Sequence, residues 1–200
     1  MRVSRITYEN MAMFIKKTLL YGESNEEARD KYLSEIEGIT SKRLVYIDES
    51  GIDHQMIKEN CWAKKGNKIV GERSGKRRER TSVIAALNGD EIKAPIRFSG
   101  TANTDLFLYW IEECLVPVLK KGQTVIMDNC SIHKSPKVRE LIEKAGCFLK
   151  FLPPYSPDLN PIENYWAVMK KHIKKIKHNF DNIVDAIDEA LRNNKRSFQG

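Results

Sequence analysis

The chain has 200 residues, 41% of them hydrophobic and 30% charged, a balance that excludes a disordered tail or a fibrous repeat. A single globular domain of this length buries roughly 70% of its unfolded surface, so it needs no staple to fold. The 34 Lys and Arg against 27 Asp and Glu leave a net charge of +7, which favours a polyanionic partner.

Residues 1–40 read as a helical arm. Tyr8, Met11, Ile15 and Leu19 recur at helical spacing as far as Gly22, and Ser24 to Glu27 form a capping box that opens a second helix to about Ile39. From Leu44 the pattern turns to strands: LVYID is an apolar run ending in an acid, and TSVIAALNGDEIKAPIRFS holds two more runs around the hairpin signal Asn88-Gly89. Between them, residues 52–80 form an insertion with Trp62 and the basic stretch RSGKRRER. TDLFLYWIEECLVPVL follows as a helix with an apolar stripe of Leu106, Trp110 or Ile111, Leu115 and Val118, kinked or shortened by Pro117. TVIMD reads as a buried strand, and SPKVRELIEKAG as a helix with Ser135 as cap, Pro136 at its first position and Gly146 as its stop. CFLKFL supplies a fifth strand. NPIENYWAVMKKHIKKIKH sets Ile162, Trp166, Met169, Ile173 and Ile176 on one helical face behind a cap at Asn160, and a last helix starts from a cap at Asp181. Strands joined by tight turns pair antiparallel and strands joined by helices pair parallel, so the expected fold is α/β, a mixed five-stranded sheet flanked by helices.

The longest apolar runs, LFLYWI and VIAAL, fall far short of the roughly 20 residues that span a bilayer, and MAMFI is too short for a signal-peptide core. A cytoplasmic protein with no membrane partner is expected. Cys61, Cys114, Cys130 and Cys147 form no CxxC pair and read as reduced thiols.

Three carboxylates stand out by position. Asp48 closes the first strand run, Asp128 closes TVIMD, and Glu163 lies in the first turn of the long helix. If those two strands are parallel neighbours, their ends lie about 5 Å apart on one edge of the sheet. Acids so close repel unless a cation neutralises them, and hard oxygen ligands favour Mg²⁺ or Mn²⁺ over zinc. Such a site suits phosphodiester cleavage by two metal ions, with Asp48 as bridging ligand and Asp128 and Glu163 each completing one side. The plainer readings are solvated strand ends for the two aspartates and a helix cap at N3 for Glu163. Ala167, Lys170 and Lys174 continue the Glu163 stripe down the helix, where lysines either form a wet face or hold backbone phosphates. Arg73, Lys76, Arg77, Arg78 and Arg80 of the insertion offer a second basic surface for a duplex.

LVYIDESG, VIMDNCSIHKS and above all FLPPYSPDLNPIENYWAVMKK resemble the DDE transposases of the Tc/mariner superfamily, in particular its bacterial branch, the insertion sequence 630 family. The 34 residues between Asp128 and Glu163 match that pattern, and the resemblance extends over residues 20–195. It implies a ribonuclease H-like fold over residues 41–200 and a triad of Asp48, Asp128 and Glu163 binding two Mg²⁺, with Mn²⁺ able to substitute. It further implies nicking at the terminal inverted repeats of a transposon, strand transfer into target DNA at a TA dinucleotide, and a homodimer on DNA, in a prokaryotic, nucleoid-associated setting. Asn129 and His133 lie beside the second acid in the family pattern. His133 is then either a packed or exposed histidine or one that orients water or phosphate. Trp62 and the basic segment resemble an insertion that contacts DNA or a partner subunit. Full-length members begin with two helix-turn-helix units, so residues 1–40 read as the remnant of a linker from such a region. The rival expectation is a catalytically idle DNA-binding remnant that regulates transposition.

Overall fold

The computed structural model describes residues 25–54 and 79–193. Its centre is a five-stranded sheet of β1 (Leu44–Asp53), β2 (Arg80–Asn88), β3 (Glu91–Ser99), β4 (Thr124–Met127) and β5 (Phe148–Phe151), in the order β3-β2-β1-β4-β5. The first three strands run antiparallel as a meander, and β1, β4 and β5 run parallel. Helix α1 (Glu26–Ile36) precedes the sheet, α2 (Thr104–Trp110) and α3 (Pro136–Lys144) flank β4, and α4 (Ile162–Ile176) and α5 (Ile183–Arg192) close the fold. No described helix is long and apolar enough to cross a membrane.

Alternation along the strands divides the core into two layers. Leu44, Tyr46 and Ile52 of β1 face Trp166, Met169 and Ile173 of α4, Ala186, Ile187 and Ala190 of α5, and Tyr32 of α1. Val45 and Ile47 face the opposite layer, with Phe107, Trp110, Ile111, Leu115, Val138 and Ile142. Helix α1 is thus docked on the sheet. Its Arg29 forms a two-pronged ion pair with Asp158 at 2.9 and 2.6 Å, and Glu35 pairs with Lys150 of β5.

Several local expectations are revised. Strand β1 does not end at Asp48 but runs on to Asp53, because pairing with β2 continues to Asp53 opposite Arg80. Asn25 caps α1 by accepting from the Ala28 amide, and Asn182, not Asp181, caps α5. The hairpin turn is Gly89-Asp90, with Gly89 at φ +60°; Asn88 ends β2 and its amide donates to the Lys42 and Leu44 carbonyls. After α2 the chain makes one π-helical turn, Ile111–Leu115, and a 3₁₀ turn, Val116–Val118, at Pro117. The wider π turn brings both Trp110 and Ile111 inward, so Phe107 replaces Leu106 in the buried stripe and Val118 is exposed. Ser135 precedes Pro136 but makes no side-chain cap bond. Asn160 does not cap α4 through its side chain either: its buried Oδ1 has no hydrogen-bond partner, and Pro161 occupies the cap position. The upstream helix of Tyr8 to Leu19, Ser24, Trp62 and the basic residues Arg73, Lys76, Arg77 and Arg78 lie outside the described residues.

Candidate active site

Register brings the acids together. Leu44 to Tyr46 of β1 pair with Thr124 to Ile126 of β4, so Asp48 and Asp128 each sit two residues beyond the last pair, level with one another. Helix α4 lies over that end of β1, and its first turn carries Glu163. Asp48 feels both partners: its carboxyl is pushed up to about 7, by burial first, then by Glu163 and Glu49, with a smaller contribution from Asp128. The indole N–H of Trp166, one turn beyond Glu163 on α4, donates to Asp48 Oδ2 at 3.0 Å.

Asp128 is held from the other side. The 3₁₀ turn Ser131–Lys134 returns His133 beneath it, where Nδ1 stands 2.7 Å from Asp128 Oδ1 and Nε2 stands 3.2 Å from Glu49 Oε1. The imidazole side chain is fully buried and its ring lies 4.4 Å from that of Phe107. Burial opposes a charge on His133, but the two carboxylates outweigh it and raise the group to about 10. The same hydrogen bond, against the opposing pull of burial, holds Asp128 below the usual carboxylate range, aided by the Cys130 amide. His133 is therefore a packed histidine that also grips the second acid. Asn129 reaches away instead, donating to the Leu152 carbonyl and tying the loop after β4 to the chain after β5.

Beside the acids, Glu49, Ser50, Gly51, Asp53, Arg80, Glu163 and Lys170 line an open cleft of roughly 400 Å³. Lys174, expected in the same row as Lys170, is exposed and does not line it. Two contributors escaped the sequence reading. Glu49 has no reading of its own there, and Trp166 is placed only on the apolar face of its helix; the one signal available is that each lies within three residues of a candidate acid.

The donor set tests whether a metal fits. Asp48, Asp128, Glu163 and the nearby Glu49 offer only hard carboxylate oxygens, the chemistry of Mg²⁺ or Mn²⁺. The mutual repulsion that raises Asp48 is what a cation would relieve. Among the described residues no three His, Cys, Asp or Glu side chains are already grouped as a metal cage, since Asp48 and Asp128 are each turned onto a protein donor. The residues fit the ion in the kind of donor they offer.

A mixed five-stranded sheet in this strand order, helices on both faces and acids at the junction of its two central strands define a ribonuclease H-like domain. Residues 43–186 match the family model described as DDE superfamily endonuclease, and the chain belongs to that family. The strand transfer complex of Mos1 superposes with a TM-score of 0.63 at 18% identity, covering 92% of this chain and 58% of that one. The Mos1 mariner paired end complex with Mn gives a TM-score of 0.59 at 15% identity, covering 96% of this chain and 70% of that one. In sequence, 62 residues are 37% identical to the uncharacterized protein y4pE/y4sA of Sinorhizobium fredii (strain NBRC 101917 / NGR234), covering 30% of this chain and 44% of that relative. The chain thus spans less than half of that relative and well under two thirds of the Mos1 chain in the strand transfer complex.

Proposed function

We propose that this chain carries the catalytic centre of a DDE transposase, which nicks DNA at transposon ends and joins the freed 3′ end to target DNA. One arrangement carries the reading: the β1–β4 register sets Asp48 and Asp128 level with one another, and the Trp166–Asp48 hydrogen bond ties the same stretch of β1 to α4, whose first turn carries Glu163. Membership of the DDE endonuclease family and the transposase-like fold support it.

In this mechanism Asp48, Asp128 and Glu163 would together hold two divalent cations, Mg²⁺ or Mn²⁺. When bound, such a pair supplies charge for the attacking oxygen on one side of the phosphorus and for the leaving oxygen on the other. The chain's own residues set the geometry. Trp166 holds one oxygen of Asp48, and His133 holds one oxygen of Asp128. Water is the attacking group in nicking, and the 3′-hydroxyl that nicking releases is the attacking group in strand transfer, so no covalent bond to the enzyme is required.

The finer assignments follow the motif PPYSPDLNPIE behind MDN: the insertion sequence 630 branch, terminal inverted repeats as the ends, TA as the target and a homodimer on paired ends. Retention of all three acids speaks for catalysis over a catalytically idle, DNA-binding regulator. The test is cleavage of the element's terminal DNA in Mg²⁺ or Mn²⁺, with or without an added end-binding segment. Cleavage lost on chelation and lost in Asp128→Asn, with folding unchanged, is the expected result. Cleavage surviving either treatment would overturn the assignment.

A further inference from the structure

The cleft beside the acids is lined by two cations, Arg80 and Lys170, together with Glu49, Asp53 and Glu163. Strand β1 continues beyond Tyr46, the last residue paired with β4, and the cleft follows that free edge. Arg80, the first residue of β2, lies across Gly51 of β1 so closely that a Cβ at Gly51 would stand 1.6 Å from Arg80 Nε. Lys170 enters the same cleft from α4, two turns beyond Glu163. Neither cation makes an ion pair or hydrogen bond with a described side chain. They are nonetheless near enough to act on one another: burial lowers Lys170 from its ordinary range, Glu163 and Asp48 pull it back, and Arg80 adds to the lowering. Two like charges are thus brought to one cleft, Lys170 half-buried and Arg80 exposed with its guanidinium over Gly51, and both are donors to anionic oxygens.

We propose, resting on the DNA-cleaving reading above, that Arg80 laid over Gly51 and Lys170 together clasp a single phosphate of the bound strand, one that flanks the phosphate being cut. Gly51, under Arg80, is three residues along β1 from Asp48, and Lys170 is seven along α4 from Glu163, each roughly 10 Å from its acid at strand and helix rises. That spacing sets the strand's register, so that holding the flanking phosphate brings the scissile one over the carboxylates. Arg80 and Lys170 then act as one contact, and Gly51 is part of it although it has no side chain.

The full chain is compared with Arg80→Gln, Lys170→Gln, Gly51→Ala and the Arg80→Gln/Lys170→Gln double variant. Binding of a fluorescein-labelled 25-base-pair duplex is followed by anisotropy in Ca²⁺ across a salt series, and nicking of supercoiled plasmid is followed in Mn²⁺. Circular dichroism melts verify folding. Each single charge variant is expected to bind about tenfold more weakly with a salt slope shallower by about one, and the double variant to fall within about threefold of either. Gly51→Ala keeps every charge and is expected to match Arg80→Gln. Losses that multiply in the double variant, or a Gly51→Ala protein that binds like wild type, overturn the shared seat; if wild-type nicking persists, the DNA-cleaving reading stands. A wild-type chain that neither binds nor nicks overturns both.

Discussion

Trp166 and Asp48, 118 positions apart, meet through one hydrogen bond of 3.0 Å from the indole N–H to Oδ2. The bond joins the central strand to the helix that carries Glu163, and it fixes the rotamer of the most buried acid of the site. Trp166→Phe keeps most of the ring volume and removes the donor. The expected outcome is a metal half-saturation concentration raised about tenfold, a loss of about 1.4 kcal/mol, at the upper end for an ordinary hydrogen bond. Cleavage rate measured against Mn²⁺ concentration checks it; an unchanged metal dependence would deny Trp166 this role.

His133 joins Asp128 to Glu49 across the buried side of the site. His133→Gln retains a hydrogen-bonding side chain but cannot span both carboxylates with the same geometry. Loss of a partner that orients a ligand lowers metal affinity or activity about 10- to 100-fold. The expected pattern is therefore a fall in kcat and in metal affinity, with KM for DNA unchanged. A change confined to melting temperature would make His133 a core residue and nothing more.

These two bonds explain what sequence alone leaves hidden. The strands, the hairpin and the long helix are legible because alternation and turn residues act over a few positions, and Asp48, Asp128 and Glu163 are legible because each terminates or opens an apolar run. The extension of β1 through ESGID is not, since those residues read as polar loop and are held by pairing with β2. Glu49 and Trp166 acquire their roles only through β1–β4 register and the docking of α4. Asn160 shows the reverse error: Asn before Pro is a good local cap signal, yet tertiary packing leaves its Oδ1 buried without a partner.

The Arg29–Asp158 pair ties α1 to the PDL turn that leads into α4, with side chains 13% and 9% exposed. Removing Asp158 takes a two-pronged carboxylate from Arg29 in a poorly solvated site. Asp158→Ala is expected to cost about 3 kcal/mol, or about 6–12 °C in Tm for a domain of this size. Because that turn precedes Glu163, cleavage should fall as well. The reversed pair, Arg29→Asp with Asp158→Arg, should recover part of both losses in melting and cleavage assays.

Divalent metal should stabilise the fold by relieving the carboxylate repulsion at Asp48. Saturation to about 100 times the dissociation constant contributes about 2.7 kcal/mol, or about 5–10 °C in Tm. Thermal melts in Mn²⁺ against EDTA check this, and Asp48→Asn should abolish most of the shift. A shift of equal size in that variant would place the metal elsewhere.

The most direct measurement is anomalous diffraction from crystals soaked in Mn²⁺. Peaks lying among Asp48, Asp128 and Glu163, with Asp48 shared between them, are the expected result. Peaks that touch one of these acids alone, or none of them, would contradict the proposal that three separated carboxylates form one metal centre for cutting DNA.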